Sequence, residues 1–238
     1  MYKNIFVFSI VLLVLFASLN TVRADRRSYA WNYEYQVMEK GQSEIENYLT
    51  LSSPTRNMKG NTTTTLQIEF ETGMTNHFDF AVYQVLSQAP GESLTYEGYK
   101  LRARYKFGEK GDFFIDPLIY AEYAGKPDFS EHELELKLIL SKDVGRFNFV
   151  LNPVLELEKA DADWGSVFGY SAGVKYAVSD LFSAGIEALG DDHGNYFGPT
   201  ISHGNYKAWV SLGALFNVGK VLNNGPEIQL RLLSGFAL

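Results

Sequence analysis

The chain has no cysteine, which excludes a disulfide framework, a thiolate metal site, a catalytic thiol and a lipid-modified N-terminal cysteine. Its four histidines show no ligand spacing to one another, so no metal or other cofactor is expected. GxSxG, P-loop and GxGxxG patterns are also missing, and with them the commonest signs of acyl hydrolysis and of nucleotide or dinucleotide binding. Charged residues are 21% of the 238, spread along the chain, with a net charge of −7. That balance offers no basic face, and no nucleic-acid partner is expected.

Long hydrophobic runs are nearly absent too. The exception, Ile5 to Ala17, follows Lys3 and precedes Val22-Arg23-Ala24. A run of that length suits the apolar core of a secretory signal and is short for a membrane-spanning helix. Residues 1–24 are therefore expected to be a signal peptide cleaved near Ala24.

What is present is period two. Tyr99, Leu101, Ala103, Tyr105 and Phe107 alternate with Lys100, Arg102, Arg104 and Lys106, and this alternation recurs to the C-terminus with no sustained helical pattern. Leu134, Leu136, Leu138 and Leu140 oppose Glu133, Glu135 and Lys137, while Leu151, Leu155 and Leu157 oppose Asn152, Glu156 and Glu158. Ile139, Val150 and Val154 are apolar exceptions on the polar face. Small residues fill that face at Gly169, Gly173, Gly185 and Gly213.

Twelve such segments are expected, at about 43–52, 62–72, 77–87, 94–107, 112–124, 130–141, 146–158, 165–177, 182–188, 195–203, 205–217 and 226–238. Most run to roughly ten to thirteen residues, about twice a typical soluble strand, a length that suits a tilted membrane strand. Turn-forming clusters such as Gly108-Glu109-Lys110-Gly111 and Lys142-Asp143-Val144-Gly145 alternate with longer links at 53–61, 88–93, 125–130, 159–165, 190–195 and 218–225. Aromatic residues near the ends of the apolar face, among them Tyr99, Phe107, Tyr123, Phe147, Phe168, Tyr176, Phe182, Phe216 and Phe236, would form interfacial girdles. A secreted soluble sandwich or barrel is the competing reading of the same alternation.

The signal segment, the alternating strands, the uneven loops and the terminal strand Ile228-Gln229-Leu230-Arg231-Leu232-Leu233-Ser234-Gly235-Phe236-Ala237-Leu238 together resemble the outer-membrane β-barrel proteins of diderm bacteria. The terminal strand resembles their assembly signal, with Leu238 where an aromatic residue is usual and Phe236 two before it. The resemblance implies a closed antiparallel all-β barrel at residues 42–238, located in the cell outer membrane among its lipids. It also implies insertion by the barrel assembly machinery and short turns on the periplasmic side. Twelve strands are expected, with fourteen as the alternative. Residues 25–41 carry Tyr29, Trp31, Tyr33, Tyr35 and Val37 on one face and are expected at the periplasmic mouth or inside the lumen.

In such a barrel the polar face points inward. Lys100, Arg102, Arg104 and Lys106 would then form a basic row, facing carboxylates of Glu69, Glu71, Asp79, Asp116, Glu122, Glu133, Glu135, Glu156 and Glu158 on other strands. Opposed rows across a narrow lumen would orient small polar or charged solutes. A passive, non-enzymatic, porin-like channel is the leading expectation, and a closed structural or interaction barrel the alternative. A third arrangement resembles the omptin outer-membrane proteases: Asp161 and Asp163 as one acidic pair, and Asp191 with His193 as the other, at the outer rim.

Overall fold

The computed structural model describes residues 25–160 and 163–238; the expected signal peptide lies outside them. Twelve strands run in chain order: β1 (Ser43–Ser53), β2 (Thr63–Gly73), β3 (Phe78–Gln88), β4 (Thr95–Lys106), β5 (Asp116–Gly125) and β6 (Glu131–Val144) form the first half. The second half comprises β7 (Phe147–Ala160), β8 (Asp163–Ala177), β9 (Phe182–Asp191), β10 (Gly194–Gly204), β11 (Ala208–Asn217) and β12 (Ile228–Ala237). Every strand pairs antiparallel with its chain neighbour, and β12 pairs with β1 to close the barrel. Closure leaves no row of unpaired backbone groups at an edge, the condition a strand wall must meet in hydrocarbon.

The pleat sends alternate side chains to opposite faces, and the register stacks those of like character. Outward, Ile201, Leu212, Leu232, Leu49, Leu66 and Leu86 are successive cross-strand partners, an apolar row across six adjacent strands. On the other strands aromatic pairs sit near strand ends: Phe147 and Tyr176 with ring centroids 5.0 Å apart, Tyr105 and Phe107 at 5.2 Å, and Tyr99 and Tyr123 at 6.1 Å. Inward, the same register stacks Glu44 with Glu71, Glu46 with Glu69, and Arg104 with Asp79.

The twelve expected segments coincide with β1–β12 to within a few residues, and the fourteen-strand alternative is excluded. The links differ more. Those expected to be long at 159–165 and 190–195 are tight: β7 runs on to Ala160 against Asp163, and β9 runs on to Asp191 against Gly194. Conversely, Gly108-Glu109-Lys110-Gly111 is no hairpin turn but part of a longer link between Lys106 and Asp116. An even strand number brings residue 43 and Ala237 to one end of the barrel, called here the termini end.

Candidate functional site

The lumen is occupied at the termini end by the chain's own residues 25–38. Tyr29, Ala30, Trp31, Tyr33, Tyr35, Val37 and Met38 are all buried, yet the segment adds no strand to the wall, and the isolated bridge of Lys40 with Gly73 lies just beyond it. Side chains of the wall hold its backbone instead. Glu187 on β9 accepts hydrogen bonds from the N–H groups of Ala30 (2.7 Å), Trp31 (2.9 Å) and Asn32 (2.9 Å), and from the Asn32 side chain (2.9 Å). Asn152 on β7 accepts from Tyr33 N at 2.9 Å, Asp79 on β3 accepts from Met38 N at 2.9 Å, and the Tyr29 hydroxyl donates to Asn148 O at 2.9 Å. An irregular stretch away from water must satisfy its donors this way.

Apolar contacts complete the fit. Tyr33, Tyr35 and Val37 pack with Leu118, Tyr120 and Ile139, and Ala30 and Trp31 join Tyr48, Tyr83, Trp209, Leu215 and Leu233. Ile139, an exception to the sequence alternation, therefore has its partner inside the barrel. Gly173 and Gly213 supply the room: a Cβ at 173 would meet the Tyr29 ring at 2.7 Å, and one at 213 the Trp31 ring at 2.4 Å. These two glycines do not widen an open pore. Within the segment Glu34 pairs with Lys175; burial pushes its carboxyl up, but the charge and hydrogen bond of that ammonium, together with the Ser28 N–H and the Lys110 charge, hold it below the ordinary carboxylate range.

Beneath the segment lies a buried ion network. Arg102 contacts Glu69 at 2.9 Å, Glu71 at 2.5 Å and the Tyr83 hydroxyl at 2.8 Å. Arg104 contacts Asp79 at 2.6 Å, Asp25 at 2.8 Å and Glu71. The basic row was expected to face acids across a constriction; Arg102 and Arg104 instead pair with acids on β2 and β3 beside them, and with the segment. Adjacency decides this, because a guanidinium taken out of water needs several acceptors at hydrogen-bond distance and a cross-lumen partner is too far to supply them. Lys106 pairs with Glu109 at 3.0 Å, and Asp116 accepts from Gly111 N at 2.9 Å, so both serve the termini end.

Above the segment the lumen opens into a vestibule of about 430 Å³, floored by Arg27, Trp31 and Tyr33. Its wall carries Lys100, Glu122, Glu135, Lys137, Glu156 and Arg231. Lys100 pairs with Glu122 at 2.7 Å and Lys137 with Glu135 at 2.8 Å. On β6 and β7 Glu133 faces Glu158 and Glu135 faces Glu156, and of these Glu135 and Glu156 line the vestibule. In the closed order β12 stands opposite β6, which places Arg231 across the vestibule from that acidic wall. Arg231 stacks over Trp31 at 5.1 Å and donates to Thr50 Oγ1 at 2.9 Å. Arg231, rather than Arg102 and Arg104, is thus the guanidinium that faces this acidic wall.

Arg231 and Glu187 are among the luminal residues that escaped the sequence reading, as are Glu44 and Glu46 of β1. Arg231 was visible only as part of the terminal strand, and Glu187 as one polar residue among small ones; the signal for Glu187 was a lone carboxylate on an otherwise small-residue face. At the rim, Asp161 lies outside the described residues. Asp191 accepts from His193 N at 2.8 Å and Gly194 N at 3.2 Å, shaping the β9–β10 turn; Asp192 Oδ1 is the carboxylate oxygen 3.8 Å from His193 Nδ1. An Asp191–His193 couple is not formed.

No protein-family model and no curated protein matches the chain. Among solved structures the chain is similar to an outer-membrane channel from Pseudomonas putida F1, with a TM-score of 0.59, 11% identity, and 86% of this chain and 98% of the other covered. It is similar also to the KdgM porin, solved in complex with disordered oligogalacturonate (TM-score 0.57, 11% identity, 82% and 99% covered). The NanC porin gives a TM-score of 0.55 at 10% identity, covering 82% of this chain and all of the other. The fold is that of the outer-membrane β-barrels, and these neighbours are porins and channels.

Proposed function

We propose that this protein is an outer-membrane channel for small polar or charged solutes, stopped by its own residues 25–38 and opened when they leave the lumen. The observation that carries the reading is the mode of attachment. The segment is held by side chains such as Glu187 and seated against Gly173 and Gly213, without strand pairing along its length. It can therefore withdraw and leave the barrel's ladder intact, whereas removing a wall strand would open two edges. Porin and channel folds among the neighbours, the outward apolar row and the charged vestibule support the same reading. The apolar row supports contact with outer-membrane lipid, and the terminal strand ending Phe236-Ala237-Leu238 supports delivery by the assembly machinery. With both chain ends in the periplasm, the segment would stop the lumen from that side.

The test is planar-bilayer conductance of the refolded chain from residue 25, beside a variant lacking 25–38. Rare or absent openings in the first and steady ohmic steps in the second are expected. Silence from both, in protein shown to be folded and inserted, would replace the channel with a closed interaction barrel.

A further inference from the structure

Facing inward on β1 and β2, Glu44 is paired in register with Glu71, and Glu46 with Glu69. Like charges directly opposite one another are destabilising, and here all four are fully buried. With Asp25 and Asp79 they make six carboxyl groups in one network, against the three guanidinium groups of Arg27, Arg102 and Arg104.

Two triads within this network have carboxylate oxygens close enough to share one cation: Asp25 with Glu71 and Asp79, and Glu44 with Glu46 and Glu71. The first already has its cation, because Arg104 Nη2 contacts all three of its members. In the second, Glu71 is held by Arg102 and Arg104, whereas Glu44 and Glu46 have no cation at hydrogen-bond distance. Glu44 Oε2 accepts from Asp25 N at 3.1 Å, and Glu46 Oε2 accepts from the Tyr48 hydroxyl at 2.6 Å. Arg27 Nη1 stands 3.8 Å from Glu46 Oε2, beyond hydrogen-bond reach. Glu44 Oε1 and Glu46 Oε1 are buried with no hydrogen-bond partner among the described residues. A buried carboxylate oxygen left without a donor or cation is costly.

We propose that the carboxylates of Glu44, Glu46 and Glu71 form a site for a hard divalent cation. The donors are oxygen only, which suits calcium or magnesium and disfavours zinc or copper. Oxygens on one calcium ion at about 2.3–2.6 Å stand at most roughly 5 Å apart, and those on magnesium at about 2.0–2.1 Å at most roughly 4 Å. The triad's oxygens lie within 4.8 Å of one another, inside the span of one calcium ion, which serves as the probe. Such an ion would reduce the excess of carboxylate charge. It would also fix Glu44, whose other oxygen holds the backbone of Asp25 at the start of the luminal segment. Because the site is buried, loading belongs to folding.

The chain from residue 25 is refolded with calcium or magnesium, passed through a chelating column, and its metal content per chain measured by mass spectrometry. Wild type and a Glu133→Gln/Glu158→Gln control are expected to retain close to one calcium ion. A Glu44→Gln/Glu46→Gln variant should retain at least tenfold less, and refolding wild type in chelator should lower its melting midpoint to that of the variant. Calcium retained by the variant would overturn the site, as would folded wild type that holds none and melts identically with and without chelator. That second result would mean a proton shared between Glu44 and Glu46. Neither measurement depends on conductance, so the site and the channel reading stand or fall separately.

Discussion

Gly213 of β11 faces Ala30 of the luminal segment so closely that a Cβ at position 213 would lie 2.6 Å from the Ala30 Cβ. Disulfide-bonded residues hold their Cβ atoms about 3.8 Å apart, so a bond there needs the segment to draw back by roughly an ångström, a shift that must also relieve the 2.4 Å approach to the Trp31 ring. The chain has no other cysteine to compete. An Ala30→Cys/Gly213→Cys variant is expected to cross-link under oxidation and to stay silent in a bilayer, then to show channel openings on reduction. Equal conductance in both redox states would mean that the segment does not gate the lumen.

Glu187 gathers three consecutive backbone N–H groups of the segment. Removing a buried acceptor leaves each donor unsatisfied at about 1–3 kcal/mol, whereas the barrel's own ladder does not use this carboxylate. Glu187→Ala should therefore release the segment and spare the wall. Limited proteolysis is expected to cut within residues 26–36 at least tenfold faster than in wild type, with the heat-resistant barrel band unchanged. Glu187→Gln, which keeps acceptor oxygen but loses the charge, should fall between the two.

The strands were legible because period two is a local property, readable from residues such as Leu134 to Leu140 alone. The ion network was not, because Arg102 and Glu71 meet through register across β2, β3 and β4, which no local pattern states. The luminal segment left two separate traces: a leftover alternation from Tyr29 to Val37, and the apolar exceptions Ile139 and Val150 on a polar face. Each alone fits a loose end. Together they describe an apolar insert and part of its seat, since Ile139 packs with Tyr33, Tyr35 and Val37. Glycines on the inward face, in sequence only small residues on a polar face, mark at positions 173 and 213 where the insert presses hardest.

Arg102 touches Glu69, Glu71 and the Tyr83 hydroxyl from a fully buried position. Deleting one partner of a buried ion pair costs about 3–5 kcal/mol, because the other charge remains. Arg102→Leu is expected to lower unfolding stability by about that amount, read as a reduced urea midpoint in lipid vesicles. Arg102→Lys should recover only part of it, since a single ammonium cannot reproduce the fork that reaches all three acceptors. Full stability in the lysine variant would show that charge alone, without geometry, holds the network.

Leu212 lies in the outward row between Ile201 and Leu232, and 47% of it is exposed. In water, an exposed leucine replaced by arginine changes stability by no more than about 0.5 kcal/mol. Against lipid at the middle of a barrel wall the same change costs about 2–4 kcal/mol, falling towards about 0–1 near the interfaces. The substitution therefore separates the two readings of the alternating sequence, the soluble barrel and the membrane one, by a margin larger than ordinary scatter. Leu212→Arg is expected to destabilise the vesicle-inserted barrel by at least 2 kcal/mol, and Phe216→Arg, nearer the far end of β11, by less. Equal and negligible costs at both positions would place the row in water and return the apolar face to a soluble fold.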